Sequence, residues 1–135
     1  MTGEKTQISS EAFKTTLEGK EFNVIDANSQ LSSISQIKQA YLAIESGYNY
    51  QIEFYELADD SSATTFYNNN KNNFEASKGD ASAEKNLKGQ NWEKYTLSSN
   101  GKYMVVSRIA NTVIYLSVKD EYSSTVKDIL KEINY

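Results

Sequence analysis

The sequence predicts an α+β fold in which one antiparallel sheet of about 5–6 strands carries helices on one face. The longest apolar, β-branched stretch, Lys102–Asp120, predicts two strands, Tyr103–Ile109 and Thr112–Val118, joined at Ala110-Asn111. Strand patterns elsewhere alternate with helical periodicity. With 135 residues, of which 39% are hydrophobic, the chain can bury a core. We therefore expect a flexible N-terminal segment over residues 1–8 and a single domain over residues 9–135.

The first predicted helix begins after Ser9, whose hydroxyl can cap it. Phe13 and Leu17 then share one face, and Gly19 can end the helix in a left-handed conformation. Glu21–Asp26 (EFNVID) follows as a short strand.

The next region mixes a weak pattern with a clear one. Leu31, Ile34 and Ile37 lie in a polar stretch and fit either a helical turn or a packed loop. Beyond them, Tyr41–Glu45 and Tyr50–Leu57 predict a hairpin around the turn-forming residues Gly47-Tyr48-Asn49.

The second half repeats this alternation of helix and strand. Asp59 can cap a helix whose apolar and aromatic residues recur at helical spacing. Glu75–Asn91 predicts the longest loop, and Trp92–Ser98 predicts a strand that turns at Asn100-Gly101, a dipeptide typical of type I′ hairpins. A final amphipathic helix begins near Ser123.

The two halves also resemble each other. Tyr41–Phe66 can be laid over Tyr103–Asp128 without gaps at an offset of 62 residues, which places Ile52 over Ile114. Shared hydrophobic periodicity produces part of this agreement by itself, so an internal α-β-β-β repeat and a chance likeness both stay open.

A two-residue loop at Ala110-Asn111 would fix which side chains share a face of the sheet. The helix-covered face would carry Val105, Ile109, Ile114, Leu116 and Val118. The other, open face would carry Met104, Val106, Arg108, Val113, Tyr115 and Ser117.

The composition argues against several classes of function. The net charge is -4 and no basic stripe is visible in the sequence, so we expect no nucleic-acid partner. The chain lacks Cys and His, the residues that most often serve as nucleophile, general base and metal ligand. No glycine-rich phosphate loop and no apolar run of about 20 residues occur. We therefore expect no cofactor, no metal, no enzymatic activity and no transmembrane segment.

Arg108 is the one arginine among 14 basic residues. Its planar fork suits a carboxylate or phosphate, so it is a candidate anion-binding residue on the open face, together with Tyr115. The structural interpretation is a cross-strand salt bridge, for instance to Glu53, or stacking on a tyrosine.

Tyr55, Tyr115 and Trp92 are candidates for an exposed aromatic platform that binds a glycan or a protein. Alternatively, they cover apolar atoms on a half-exposed sheet face. The acidic residues Asp59 and Asp60 are better explained by helix capping than by cation binding.

Short motifs around the central hairpin carry a resemblance to a known group. They are Lys94-Tyr95, Gly101-Lys102-Tyr103, Val106-Ser107-Arg108, Asn111-Thr112-Val113-Ile114-Tyr115 and Ile133-Asn134-Tyr135, supported by Ala63 and Phe66-Tyr67. The chain resembles small extracytoplasmic domains of Gram-positive bacteria, often lipoproteins of uncharacterised function. The resemblance implies a location outside the cytoplasm and a lipid-anchored or secreted form. Because this chain has no Cys, the anchor would be absent or trimmed away with the N-terminus.

These observations predict a non-enzymatic domain of the cell envelope that binds a protein or small ligand through an open sheet face. The alternative is a structural module that self-associates through that face, for example as a homodimer. An enzyme that uses only carboxylates would need a cleft with two close carboxylates.

Overall fold

The computed structural model describes residues 3–28, 36–79 and 82–135, which form three helices and seven strands. In chain order these are α1 (Ser10–Gly19), β1 (Asn23–Asp26), β2 (Ile37–Ile44), β3 (Gln51–Leu57), α2 (Asp60–Ala76), β4 (Ser82–Lys88), β5 (Trp92–Ser99), β6 (Lys102–Ile109), β7 (Thr112–Lys119) and α3 (Ser123–Glu132). The strands form one antiparallel sheet in the order β1-β2-β3-β7-β6-β5-β4. The predicted α+β class with an antiparallel sheet is confirmed.

The sheet has seven strands rather than the predicted five to six, because the stretch Glu75–Asn91, predicted as a loop, contains β4. All residues of Ser82–Lys88 are exposed, so the strand shows no alternation of apolar and polar side chains. Backbone pairing along β5 holds this edge strand in place, from Ser82 opposite Ser99 to Lys88 opposite Glu93.

Helices cover both faces of the sheet, so the prediction of one covered and one open face is wrong. Side chains of α1 and α3 pack with Ile52, Ile114 and other residues of one face, which we call the α1/α3 face. Side chains of α2 pack with Val106 and Val113 on the opposite α2 face. The physical reason is visible in β6, where Tyr103–Ile109 is buried throughout, as in a strand covered on both sides.

The predicted division of side chains between the faces is confirmed. Ile109 pairs with Thr112, so Ala110 and Asn111 form a two-residue loop, in which Ala110 has a φ of +53°. The set that includes Val105 and Leu116 packs in the core of the α1/α3 face, and the set that includes Met104 packs under α2.

Local signals in the sequence also place the helix starts and one tight turn correctly. The Ser9 hydroxyl accepts a hydrogen bond from the Ala12 backbone N–H at 3.1 Å, and Asp59 accepts one from the Ser62 N–H at 2.7 Å. Asn100 and Gly101 both have positive φ, as a type I′ turn requires.

The gapless repeat at an offset of 62 residues fits β3 and β7, but it fails for the strands before them and for the helices after them. Leu42 pairs with Glu53, whereas the equivalent Met104 pairs with Ser117 and not with Tyr115. Glu53 of β3 pairs directly with Tyr115 of β7, and these residues are also 62 apart in sequence. The strands β3 and β7 are therefore related by a local pseudo-twofold axis that runs through this pair, normal to the sheet. That axis would place α2 and α3, which follow β3 and β7, on the same face, but they lie on opposite faces.

Residues 3–8, which we expected to belong to a flexible segment, make specific hydrogen bonds to the body of the domain. The Lys5 backbone N–H and C=O both bond to the Asn91 side chain at 2.9 Å, and the Ile8 N–H donates to the Tyr135 hydroxyl at 3.2 Å. Of the three residues predicted to lie in a helical turn or a packed loop, Leu31 and Ile34 are outside the described residues, whereas Ile37 begins β2. In the described part of the chain, no helix is long and apolar enough to cross a membrane.

Candidate functional site

The structure separates the four residues singled out as binding candidates. Arg108, Tyr55 and Tyr115 lie on the α2 face, whereas Trp92 lies on the opposite face. The Trp92 indole N–H donates to the Gly3 carbonyl at 2.7 Å, and the Lys5 ammonium lies 4.2 Å from the ring centroid. A continuous platform of Tyr55, Tyr115 and Trp92 is therefore not formed.

Arg108 is buried, with 8% of its surface exposed, and forms a cross-strand ion pair. Its Nε donates to Glu93 Oε2 at 2.9 Å, and Nη1 donates to the Ala110 carbonyl at 2.8 Å. Glu93 of β5 is the direct cross-strand neighbour of Arg108. The structural interpretation was correct in kind, but the partner is Glu93 rather than Glu53.

Tyr55 and Tyr115 form part of the contact between the sheet and α2. The Tyr55 ring lies 4.8 Å from Phe66, and its hydroxyl donates to Glu53. Burial, together with this carboxylate, raises the pKa of Tyr55. The Tyr115 ring stacks on Phe74 at 5.1 Å. Both rings cover apolar atoms, under a helix rather than on a half-exposed face.

The α2 helix leaves a groove of about 660 Å³ uncovered between itself and the β4 side of the sheet. We call it the α2 groove. It is lined by Thr64, Tyr67, Asn68 and Lys71 of α2, by Asn86, Leu87 and Lys88 of β4, and by Gln90, Glu93 and Arg108. The groove therefore has one candidate residue from the sequence, Arg108, among its walls.

Two buried polar side chains line this groove with hydrogen-bonding capacity to spare. Tyr67 is 3% exposed, and its hydroxyl bonds to none of the described residues. Burial and the neighbouring Glu93 carboxylate raise the pKa of Tyr67, which keeps this hydroxyl protonated. Within the described chain, Arg108 bonds through Nε and Nη1 only, so Nη2 keeps its donors.

The α2 groove carries a positive local charge although the whole chain is acidic. Arg108, Lys71 and Lys88 line it against one carboxylate, Glu93. Neither lysine forms an ion pair with a carboxylate of the described residues. The groove thus offers a net positive lining to an anion.

Sequence reasoning missed Tyr67, Lys71 and Glu93 as site residues, since they come from separate elements and form no local motif. The one signal in the sequence was that each of these residues falls within a predicted helix or strand. Among described residues, no three Asp, Glu, His or Cys side chains are grouped so that they could hold a metal ion.

Comparisons of the chain with protein-family models, with curated proteins and with solved structures found no match.

Proposed function

We propose that this chain is a non-enzymatic binding domain that holds a small carboxylate-bearing ligand in the α2 groove. One observation carries the proposal: a buried guanidinium, Arg108, lines the groove with Nη2 free of hydrogen bonds to described residues, beside the Tyr67 hydroxyl. The charged N–H donors of Nη2 are suited to a carboxylate oxygen. The lack of His and Cys supports a binding role rather than catalysis.

The contacts around Arg108 supply the preorganisation that tight binding requires. Glu93 holds Nε and the Ala110 carbonyl holds Nη1, so the guanidinium plane is fixed before any ligand arrives. The Tyr67 hydroxyl can donate a further hydrogen bond. Lys71 and Lys88 add long-range attraction at the rim.

A location in the bacterial cell envelope, lipid-anchored or secreted, is part of this proposal. It is supported by the Cys-free composition and by the resemblance to extracytoplasmic domains. The alternative of self-association through the sheet face has less support, because α2 lies over that face. The α2 groove takes the place of the open face as the proposed binding surface.

The test is a titration of the isotope-labelled protein with acetate, succinate and citrate, followed by NMR. We expect amide shifts confined to residues of the α2 groove. Tyr67→Phe removes one hydroxyl without changing the charge. We expect it to weaken binding about tenfold, because a hydrogen bond to a charged group contributes about that much to affinity. Arg108→Lys keeps the charge but loses the Nη2 donors, and we expect a larger loss of affinity.

Tyr55→Phe is the matched control, since it removes a hydroxyl on the same face but outside the α2 groove. It should bind each carboxylate as the unmodified protein does. The proposal fails if none of the three carboxylates shifts the groove amides. It also fails if Tyr67→Phe and Tyr55→Phe bind equally well.

A further inference from the structure

A second charged feature lies on the opposite, α1/α3 face, between α3 and the strands β4 and β5. Two neighbouring depressions of about 430 and 230 Å³ share Lys94 and Lys127 in their linings. Lys85 lines the first, and Lys5 and Lys131 line the second. We call this continuous feature the lysine groove.

The fold brings these five lysines together from distant parts of the sequence. Leu87 pairs with Lys94, and Lys85 pairs with Thr96, so the alternation of the strands directs Lys85 and Lys94 to the same face. Lys127 and Lys131 are four residues apart on α3 and share a side of that helix. Lys5 comes from the tethered N-terminal residues.

No described carboxylate neutralises the lysine groove. The five lysines take part in none of the ion pairs of the described chain. Glu84 also lines the groove, but its carboxylate accepts hydrogen bonds from the Tyr95 hydroxyl at 2.7 Å and from Lys78 at 2.9 Å. The groove is therefore a concentration of like charge in a chain whose net charge is -4.

This arrangement of lysines destabilises the charged form of Lys94. Burial lowers its pKa, and the charges of Lys5 and Lys85 lower it further. An anion that enters the lysine groove would stabilise the charged form of Lys94, because it would offset the repulsion from the neighbouring lysines.

We propose that the lysine groove binds an anion that carries several phosphate groups in a chain. This inference concerns a different face and a different ligand from the proposed function. Ammonium groups act as separate point charges and suit successive phosphates, whereas the groove offers no guanidinium fork. The hydroxyls of Thr96 and Ser98 line the same surface and can donate to phosphate oxygens.

The aromatic residues nearby favour a phosphate chain over a single-stranded nucleic acid. Binding of unpaired bases normally uses exposed rings on which the bases stack. Trp92 and Tyr103 are buried, and Lys5 and Lys127 lie 4.2 and 4.9 Å from their respective ring centroids. The rings therefore present no free surface to a base, and recognition would rest on charge.

The inference is tested by isothermal titration calorimetry with inorganic polyphosphate, tripolyphosphate and orthophosphate as probes. We expect affinity to increase with the number of phosphates and to fall steeply with added salt. Lys94→Gln and Lys127→Gln should each weaken polyphosphate binding about tenfold, because one charge-assisted hydrogen bond contributes about that much to affinity. Neither change should affect carboxylate binding in the α2 groove, which separates this test from that of the proposed function.

Lys14→Gln and Lys119→Gln are the controls, since they change the net charge equally but lie outside the lysine groove. They should bind polyphosphate within about twofold of the unmodified protein. The proposal is overturned if the controls lose as much affinity as the groove variants, or if polyphosphate does not bind. Tighter binding of single-stranded DNA than of polyphosphate of equal charge would also overturn it.

Proton linkage gives a second readout that a structural role would not produce. Phosphate binding should return the Lys94 pKa toward 10.5, so binding takes up protons and affinity falls as the pH rises toward that value. The titratable groups that line the lysine groove with Lys94 are Lys5, Lys85, Lys127, Lys131, Tyr103, Tyr135 and Glu84, whose carboxylate is bonded to Tyr95 and Lys78. In Lys94→Gln this proton uptake should be reduced, and unchanged uptake would overturn the role given to Lys94.

Discussion

At the scale of single residues, Arg108 combines a structural and a binding role. Its bonds to Glu93 and to the Ala110 carbonyl hold two neighbouring parts of the sheet, and its remaining donors line the α2 groove. Because both members of the ion pair are largely buried, removing one leaves the other without compensation for its lost hydration.

We predict that Arg108→Ala destabilises the fold by about 3–5 kcal/mol, since the buried Glu93 carboxylate loses its partner. The double change Arg108→Met with Glu93→Leu removes both charges at similar volume and should recover most of that loss. Denaturant unfolding of the two variants measures both effects. A loss below about 1 kcal/mol for Arg108→Ala would show that the pair contributes no more than a surface salt bridge.

The single arginine stands out in the sequence, but the partner of its ion pair could not be deduced. Glu53 and Glu93 are both strand residues, and the choice between them depends on which strand pairs with β6. Strand order is a long-range property that composition and periodicity do not encode. Tyr67 was equally hidden, because a tyrosine at helical spacing looks like an ordinary core residue.

At the scale of elements, β4 is an edge strand that buries little apolar surface. Its residues Ser82–Lys88 are exposed on both faces, and one edge of its backbone has no neighbouring strand within the described residues. Lysines on such an edge discourage pairing with other chains. The same polarity is why the sequence predicted a loop here, whereas the apolar strands β2, β3 and β5 to β7 were recognised from their patterns.

We predict that the amide hydrogens of β4 exchange with solvent much faster than those of β6. Little apolar surface holds β4, so it can open without unfolding the domain, whereas β6 is buried on both faces. Native-state hydrogen exchange followed by NMR compares the two strands in one sample. Equal protection of β4 and β6 would show that this edge opens only in global unfolding.

At the scale of the whole molecule, the fold gathers on one surface lysines that are interspersed with acidic residues along the sequence. The lysines of the lysine groove lie at positions 5, 85, 94, 127 and 131, and no run of basic residues announces them. We expected no basic surface because basic residues do not cluster along the sequence. That criterion does not detect lysines that the fold brings together. The division of the central hairpin's side chains into two sets was predicted correctly, but polar residues such as Arg108 and Ser117 gave the α2 face the pattern of an open one.

We predict that the protein loses stability steeply as the pH rises above 10. Nine of the ten tyrosines have a pKa raised above 10.0 in the folded state, mainly by burial. The unfolded chain therefore releases protons first, and stability that is complete below pH 10 is lost as the pH passes toward the folded values. Tyrosinate absorbance and circular dichroism should change together. Gradual ionisation without unfolding would contradict this linkage.

The pairing of Glu53 with Tyr115 at the pseudo-twofold axis has a consequence for how the chain reaches its native state. Strands β1 to β3 and β4 to β7 each follow one another in sequence and pair with their immediate neighbours, so each half can assemble through local contacts. Joining β3 to β7 instead closes a loop of 62 residues, with the corresponding loss of chain entropy. The pairing of β3 with β7, which joins the two preassembled meanders, is therefore the step that we expect to limit the folding rate.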